Sequence, residues 1–424
     1  MQRYTLIKLK VKSEELKVKG KSLVFSSYLL ALSLFFYTGI IQAQITAKSD
    51  FTTVTSADVK VGAEHTEQYL SLLQGKKVAV VANQTSLVKN KLLVDTLLSL
   101  GVKVVKIFAP EHGYYGDEDA GASVKNAKTS HTAVNIVSLY GKHNKPTVED
   151  LGDVDIVIYD IQDVGVRFFT YISTLHLVME ACAENNKPLI VLDRPDPNGY
   201  YVDGPVLDSS CRSFSGMDPV PIVYGMTVAE YAKMLNGEKW LGKGEQCSLT
   251  CIPVTGYTHK NFYDIPVKPS PNLPTMASVF LYPSLALFEG TKISVGRGTD
   301  KPFEVIGNPS IKSSFSFTPE SRPGAQTPMY QGQKCYGYDL STFGEIMVKN
   351  YQKVYLFWLK GMYKDYPDKA NFFVPYFKNL AGTTALQKQI EQGLSEDEIR
   401  KTWEPGLSNF RKIRKKYLLY PDFR

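Results

Sequence analysis

Blocks of apolar residues separated by polar residues run through the first half of the chain. Four short blocks rich in Val, Ile and Leu have the length of buried strands, and segments with helical spacing lie between them. The four blocks are Val78–Ala82, Val102–Phe108, Asp155–Tyr159 and Pro188–Leu192. Near-continuous apolar strands are typical of parallel sheets that are covered on both faces. Their alternation with helices predicts an α/β fold with a Rossmann-like parallel sheet.

Helix start signals extend this pattern into the second half of the chain. Thr227 and Ser395 are each followed three residues later by a glutamate, which predicts a capping box at two helix starts. Gln246–Val254 has the pattern of a further strand. The predicted helices are Leu92–Leu100, Phe168–Glu184, Thr227–Leu235, Thr384–Gly393 and Ser395–Trp403.

Each of the four predicted strands ends in a cluster of polar side chains. The clusters are Asn83-Gln84-Thr85, Pro110-Glu111-His112-Gly113, Asp160-Ile161-Gln162-Asp163 and Asp193-Arg194-Pro195-Asp196. The carboxyl ends of parallel strands share one edge of a sheet, and ligands bind in the crevice there. Packing alone does not require polar groups at all four ends. The recurrence predicts one composite site.

The first residues differ in composition from the rest of the chain. Residues 1–21 contain seven Lys or Arg and two Glu, and an apolar run from Leu23 to Ile41 follows. With the small residue Ala43 at a plausible cleavage point, residues 1–43 are predicted to be a secretory signal. The protein is then exported, to the periplasm or the extracellular space. The alternative is an uncleaved anchor, because the apolar run approaches membrane-spanning length.

The length of 424 residues favours two domains. Residues 44–68 are rich in Thr and Ser and are predicted to be a spacer. We expect the Rossmann-like domain at 69–210 and a second domain at 211–424, since residues 195–222 are rich in Pro, Gly, Ser and Asp. Without the basic leader the chain is close to neutral, so it has no electrostatic footprint for nucleic acid.

Several cofactor and metal signatures are absent from the sequence. No Gly-x-Gly-x-x-Gly follows the first strand and no Walker loop occurs, so neither a dinucleotide nor any other cofactor is predicted. Cys247 and Cys251 lie roughly 13 Å apart on the predicted strand, too far for a disulfide between them. The five cysteines are predicted to be buried thiols, although their odd number leaves an intermolecular bond open. Asp160, Asp163, Asp193 and His112 are the donors that a divalent ion would use, but no metal is predicted.

Glu111 is the strongest catalytic candidate. Pro110 and Gly113 fix a tight turn directly after an apolar strand, which aims the Glu111 side chain into the crevice. A partly desolvated carboxylic acid there can act as a general acid. The alternatives are an N-cap or a structural ion pair. His112 has a weaker signal, because a single histidine is more often structural.

Other charged residues fall at the same predicted edge or in one later loop. Asp160 ends a strand, and Asp163 and Arg167 can pair on one helix face, as an anion site or as a structural pair. Asp193 can either orient Arg194 or join it in the crevice. In the second half, small residues surround Glu289, Arg297 and Glu304, which predicts a tight loop that presents these charges. By composition alone this loop is also compatible with a hairpin without chemistry.

Taken together, these segments resemble the exo-β-N-acetylmuramidase family of NamZ type. The similarity spans about residue 70 to the end. Asp196 and Lys292 stand where Asn is frequent in the family, and neither departure affects Glu111. The motifs that carry the resemblance are Ala82-Asn83-Gln84-Thr85, Ala109–Gly113, Asp160–Arg167 with Thr170-Tyr171, Leu192–Pro195, Tyr224-Gly225-Met226-Thr227, Pro269–Thr275, Glu289-Gly290-Thr291, Gly296–Thr299 and Tyr417-Leu418-Leu419-Tyr420.

The resemblance implies a smaller second α/β domain, with the active cleft between the two domains. It implies removal of terminal N-acetylmuramic acid from the non-reducing ends of peptidoglycan fragments such as muropeptides and MurNAc-GlcNAc, with Glu111 as the catalytic glutamate. Glycoside cleavage needs a second negative charge, for which Asp160, Glu289 and Glu304 are candidates. The lactyl carboxylate of muramic acid needs a cation. The expected substrate-binding residues are Asn83, His112, Gln162, Asp163, Arg167, Tyr171, Asp193, Arg194, Asn272, Arg297 and Glu304.

Two other functions are compatible with the same residues. One is a different cell-wall amino-sugar glycosidase, for example one that prefers N-acetylglucosamine. The other is a non-catalytic muropeptide-binding protein, since a fold does not establish a function. The oligomeric state is not predicted.

Overall fold

The computed structural model describes residues 51–119, 121, 127–129 and 134–423. The predicted signal segment and residues 44–50 of the predicted spacer lie outside the described residues. The strands are β1 Thr52–Val54, β2 Lys77–Ala82, β3 Leu87–Val88, β4 Lys91–Leu92, β5 Lys103–Ala109, β6 Ala127–Lys128, β7 Asn135–Ser138, β8 Ile156–Asp160, β9 Leu189–Leu192, β10 Leu249–Ile252, β11 Asn261–Tyr263, β12 Val305–Asn308, β13 Phe315–Phe317 and β14 Cys335–Asp339.

Helices connect these strands and make up most of the last 90 residues. They are α1 Thr66–Leu73, α2 Leu93–Ser99, α3 Val148–Leu151, α4 Tyr171–Glu184, α5 Val228–Gly237, α6 Met276–Leu285, α7 Ser341–Tyr351, α8 Phe357–Asp365, α9 Phe377–Ala381, α10 Ala385–Glu391 and α11 Glu396–Arg414. Short 3-10 helices lie between them, among them Ala286–Gly290. No helix in the described part of the chain combines the length and the apolar character needed to cross a bilayer.

A seven-stranded sheet forms the centre of the molecule. Its strand order is β10-β9-β8-β2-β5-β7-β6, and every neighbouring pair is parallel except β6 with β7. The four strands predicted from apolar blocks are β2, β5, β8 and β9, and they occupy the middle of this sheet. The predicted α/β class with a Rossmann-like parallel sheet is therefore confirmed.

Both faces of the sheet are covered, which explains why the strands are apolar along their whole length. Alternate residues of a strand point to opposite faces. Accordingly, Ala79 and Val81 of β2 pack into one apolar cluster, and Val78 and Val80 pack into another. Helix α4 lies in the first cluster and is buried over most of its length.

The predicted capping boxes start two of the helices. The side chain of Thr227 accepts a hydrogen bond from the backbone N–H of Glu230, and the Glu230 carboxylate accepts one from the Thr227 N–H at 2.9 Å. Ser395 and Glu398 form the same reciprocal pair at the start of α11. These short-range signals identify helix starts correctly because the bonds are made within one turn of the chain.

The second half of the chain adds a smaller α/β unit. Strands β12, β14 and β13 form a three-stranded antiparallel sheet, and helices α6 to α11 belong to the same part of the chain. The main sheet extends beyond the predicted boundary after residue 210, because β10 pairs in parallel with β9. The spacer predicted up to residue 68 also contains β1, which pairs with β11. The exact domain boundaries stay predictions.

Candidate active site

A cavity of about 420 Å³ opens next to the carboxyl end of β5. Residues from both halves of the chain line it. Six of the residues that the sequence predicted for a site are among them: Glu111, His112, Tyr171, Asn272, Glu289 and Arg297. The remaining lining includes the aromatic residues Tyr140, Phe168, Phe169, Phe214, Tyr282, Phe303 and Tyr376. The cavity is therefore a mixed charged and aromatic pocket of the kind that binds small polar ligands.

A tight turn at the end of β5 places Glu111 in this cavity. The N–H of Gly113 donates to the carbonyl of Pro110 at 3.0 Å, and His112 has a φ of +68°. A positive φ at the third residue identifies a type II turn, which an ordinary side chain adopts only at some cost. The His112 ring offsets this cost, since Nδ1 donates to the carbonyl of Glu118 at 2.7 Å. Nε2 of the same ring accepts from the Ser270 hydroxyl at 3.1 Å.

Both ring nitrogens of His112 are therefore used by the fold in the neutral tautomer. Burial lowers the pKa of His112, and the neighbouring Glu111 opposes that shift only in part. With both nitrogens hydrogen bonded, the neutral His112 ring fixes the turn and donates no proton to a ligand. His112 lines the cavity as a support for Glu111.

The carboxylate of Glu111 is held by two direct hydrogen bonds. Oε1 accepts from the backbone N–H of Gly121 at 3.0 Å, and Oε2 accepts from the Thr170 hydroxyl at 2.6 Å. Thr170 stands at the start of α4, so a helix of the main domain fixes the orientation of the carboxylate. Tyr140 lies close by, where burial and the charge of Glu111 raise the pKa of its hydroxyl. Tyr140 thus stays protonated as a hydrogen-bond donor beside Glu111.

A second charged group comes from the other half of the chain. Arg297 donates from Nε to Oε1 of Glu289 at 2.8 Å, and its guanidinium lies 5.0 Å from the centre of the Phe303 ring. Burial opposes the charge of Arg297, but the carboxylate of Glu289 outweighs burial and raises the Arg297 pKa. Nη1 of Arg297 is buried and has no hydrogen-bond partner among the described residues.

The loop sequence explains how Arg297 reaches the cavity. Gly296 and Gly298 have φ values of +75° and +81°, which residues with a Cβ rarely adopt. Glu289 lies in the short 3-10 helix that follows α6, and the N–H of Thr291 closes that turn on the carbonyl of Phe288 at 2.8 Å. Of the three charges that the predicted loop was expected to present, Glu289 and Arg297 line the cavity and Glu304 does not.

Asp160 and Arg194 lie elsewhere, in a buried pair below the sheet edge. Arg194 donates to both oxygens of Asp160, at 2.6 and 2.9 Å, and also to the carbonyl of Leu87. Asp160 is wholly buried and neither residue lines the cavity. Asn83 is nearby and accepts from the hydroxyl of Thr85. Asp160 and Arg194 are bonded to each other, and neither they nor Asn83 line the pocket.

In the loop after β8, the predicted site residues also form hydrogen bonds within the protein. The carboxylate of Asp163 accepts from the hydroxyl of Tyr224 and from the N–H of Gly165. Burial raises the pKa of Asp163 to about 6. Gln162 donates to the carbonyls of Asp163 and Pro195. Neither Asp163 nor Gln162 lines the cavity.

Three further residues that were predicted to bind substrate form hydrogen bonds within the protein instead. Arg167 is fully buried and donates to backbone carbonyls, so it forms no pair with Asp163. Asp193 accepts from the hydroxyls of Thr227 and Tyr420, and burial raises its pKa to about 7. Glu304 accepts from the Thr275 hydroxyl at 2.5 Å. The predicted composite site therefore narrows to the turn after β5 and the later charged loop.

The structure adds residues that the sequence did not single out. Thr170 and Tyr140 hold or flank Glu111, and Phe214, Ser215 and Tyr376 complete one side of the cavity. Tyr140 follows the end of β7, so the strand-end rule that selected Glu111 also selects Tyr140. No comparable sequence signal marks Tyr376. In the described residues, no three His, Cys, Asp or Glu side chains come together as metal ligands, and all five cysteines are free.

Two solved structures share this fold over most of the chain. A DUF1343 family protein from Bacteroides fragilis NCTC 9343 is 44% identical, with a TM-score of 0.79, and the match covers 86% of this chain and 99% of that one. A second DUF1343 family protein from the same organism is 30% identical, with a TM-score of 0.73 and the same coverage.

Sequence comparisons give the same assignment. Residues 78–277 match the model of the N-terminal domain of exo-β-N-acetylmuramidase NamZ, and residues 280–420 match that of its C-terminal domain. The peptidoglycan β-N-acetylmuramidase NamZ of Bacillus subtilis (strain 168) is 40% identical over 375 residues, which are 83% of this chain and 89% of the relative. The resemblance found in the motifs is confirmed, and the chain belongs to the exo-β-N-acetylmuramidase NamZ family.

Proposed function

We propose that this protein is a glycoside hydrolase that removes N-acetylmuramic acid from the non-reducing ends of peptidoglycan fragments. The similar protein of Bacillus subtilis is named a peptidoglycan β-N-acetylmuramidase. The observation that carries the proposal is the placement of Glu111, which lines a cavity together with the Glu289–Arg297 pair. These groups supply an acid, a second carboxylate and a cation, which are the chemical needs of cleaving a muramic acid glycoside.

Glu111 is the proposed proton donor to the departing sugar oxygen. The Thr170 hydroxyl can rotate, so it donates to the carboxylate of Glu111 and can accept from the carboxylic acid. The contact of 2.6 Å is therefore retained while the proton leaves and returns. The N–H of Gly121 holds the other oxygen, which leaves the carboxyl group one orientation in the cavity.

Glu289 is the proposed second carboxylate of the reaction. Asp160, another candidate, is unsuited to this role because it is wholly buried and Arg194 binds both of its oxygens. Glu289 lines the cavity and uses one oxygen for Arg297. It can supply negative charge near an oxocarbenium-like carbon, or act on a water molecule.

Arg297 is the proposed receptor for the lactyl carboxylate. Arg167 and Arg194 have the same chemistry, but their guanidinium groups already bind backbone carbonyls or Asp160. Arg297 binds Glu289 only through Nε, and its Nη1 has no partner among the described residues. A planar guanidinium can bind a carboxylate with two parallel hydrogen bonds. The free end of Arg297 is therefore suited to muramic acid.

The predicted export of the protein completes the proposal. Peptidoglycan fragments occur outside the cytoplasm, which agrees with the basic and apolar leader of residues 1–43. The leader stays a proposal, either as a cleaved signal or as an anchor. A membrane is a partner only if the leader is retained.

The proposal is tested with two disaccharides of opposite sequence. We expect the purified protein to release free N-acetylmuramic acid and N-acetylglucosamine from MurNAc-GlcNAc, with muramic acid at the non-reducing end. GlcNAc-MurNAc should remain intact, because its terminal sugar has no lactyl group for Arg297. Cleavage of both at similar rates indicates a general amino-sugar glycosidase, and binding without products indicates a receptor.

A further inference from the structure

Arg167 is one of the largest fully buried side chains in the described residues, and it has no carboxylate partner there. A buried charge without a counter-ion is costly unless hydrogen bonds satisfy it. Burial lowers the pKa of Arg167 to about 10, so the side chain remains charged at neutral pH. The fold keeps this charge in its interior, which calls for a physical explanation.

Three backbone carbonyls from distant parts of the chain bind the guanidinium. Nη1 donates to the carbonyls of Pro205 and Val220, both at 2.8 Å, and Nη2 donates to the carbonyl of Leu380 at 2.9 Å. The first two belong to the connection between β9 and β10, and the third belongs to α9 in the second half. One side chain thus connects two segments that are about 160 residues apart in sequence.

Two glycines allow this close approach. A Cβ atom at Gly382 would lie 2.3 Å from Nη2 of Arg167, and one at Gly216 would lie 3.3 Å from its Cδ. Gly382 also has a φ of +73°, where glycine is favoured. The two segments contact each other directly, because the N–H of Asp208 donates to the carbonyl of Gly382 at 2.8 Å.

The same two segments supply one side of the active cavity. We call this side the far wall; it consists of Phe214, Ser215, Tyr376 and Leu380. The hydroxyls of Ser215 and Tyr376 are hydrogen bonded to each other across the two segments. The aromatic ring of Phe214 also contacts that of Tyr140, with ring centres 5.8 Å apart.

We propose that Arg167 is a positioning residue that holds the far wall in place from behind, so that the cavity binds a terminal sugar tightly. The inference rests on the proposed function. Arg167 does not line the cavity, and its hydrogen bonds go to the two segments that contain the far wall. The Glu111 carboxylate does not depend on Arg167 for its position, since Thr170 and Gly121 bind it.

Substitution of Arg167 should therefore separate binding from chemistry. In Arg167→Lys a single ammonium group replaces the planar guanidinium, and it cannot donate to all three carbonyls in the same geometry. The backbone N–H of residue 167 still donates to the carbonyl of Ile222 at 2.8 Å, which keeps the following Thr170 in position. On a chromogenic β-N-acetylmuramide we expect KM to rise about tenfold, with kcat within about threefold of the original value.

Arg194→Lys is the matched control. It also changes a buried arginine of the main domain, but its partners are Asp160 and the carbonyl of Leu87, away from the cavity. We expect a loss of thermal stability comparable to that of Arg167→Lys, with KM unchanged. A rise in KM for both variants would show that any lost buried arginine loosens the cavity, and would overturn the specific role.

Two further measurements sharpen the test: the first leaves every buried charge in place, and the second does not depend on activity. Ser215→Ala and Tyr376→Phe remove the bond across the far wall without changing a buried charge, and both should raise KM while kcat is kept. Amide hydrogen exchange in the ligand-free full chain should become faster in residues 205–220 and 376–382 of Arg167→Lys. Unchanged exchange there, or an unchanged KM in a folded Arg167→Lys, overturns the inference. Absence of muramidase activity in the original protein instead overturns the proposed function.

Discussion

Replacement of Arg297 by Met tests how the protein recognises muramic acid. The variant keeps a long side chain on the Phe303 ring but removes the guanidinium that binds Glu289. If the free end of Arg297 binds the lactyl carboxylate, turnover of a muramide should suffer more than turnover of the matching glucosaminide. The two substrates differ only in the lactyl ether.

The expected size of the effect follows from the burial of Arg297. Its side chain is 23% exposed, so a bond to a ligand carboxylate would be mostly shielded from water. Hydrogen bonds to charged groups contribute about 1.5–3 kcal/mol each net, and partial exposure favours the lower part of that range. A value of about 2 kcal/mol corresponds to a loss of roughly 30-fold in kcat/KM for the muramide.

The assay compares kcat/KM for a chromogenic β-N-acetylmuramide and a chromogenic β-N-acetylglucosaminide. Loss of the Glu289 partner acts on both substrates, so the ratio of the two values isolates the lactyl contact. Arg322→Met is the control, because Arg322 pairs with Asp300 at the surface and does not line the cavity. An equal loss on both substrates would refute the assignment of Arg297 to the lactyl group.

Three further predictions concern catalysis and stability. Thr170→Val removes the 2.6 Å bond to Glu111, and we expect kcat to fall about tenfold with little change in KM; an unchanged kcat would show that Thr170 does not orient the acid. Burial raises the pKa of Asp193 to about 7, whereas an unfolded Asp titrates near about 3.9. The folded protein then holds the extra proton, so stability should fall as pH rises from about 4 to about 7 and level off above that. Calorimetry of Asp193→Asn should show a flatter Tm profile over this range, and an identical profile would contradict the pKa shift. Ser395→Ala removes the α11 cap and should cost about 1 kcal/mol in urea unfolding, whereas no loss would mean that the helix start is frayed.

The central strands and helix starts could be predicted from the sequence because their signals are local. Apolar blocks define β2, β5, β8 and β9, and capping boxes use bonds between residues three apart. The Glu111 turn was predictable for the same reason, since Pro110 and Gly113 flank it. These features depend little on what packs around them.

The other strand-end clusters show where local signals fail. Asp160 and Asp193 follow strands in the same way as Glu111 does, but the protein itself fills their hydrogen-bonding capacity through Arg194, Thr227 and Tyr420. A sequence pattern does not distinguish a carboxylate that binds its own chain from one that faces a ligand. That difference depends on contacts between residues up to 227 positions apart.

Distance along the chain also explains the missed residues. Tyr376 lines the cavity beside Ser215, from which it is 161 residues away in sequence. Arg167 was predicted either to bind a ligand anion or to form a structural pair with Asp163. In the structure, the guanidinium of Arg167 donates hydrogen bonds to backbone carbonyls instead.

The central claim is that Glu111 transfers a proton to the departing sugar. The most direct test is the turnover of MurNAc-GlcNAc by Glu111→Gln, together with the affinity of the variant for free N-acetylmuramic acid. The amide has nearly the same shape and can still accept from Gly121 or Thr170, so affinity should be retained. Loss of a general acid should lower kcat by about 10²- to 10⁴-fold. A kcat within tenfold of the original value, with binding intact, would contradict the account.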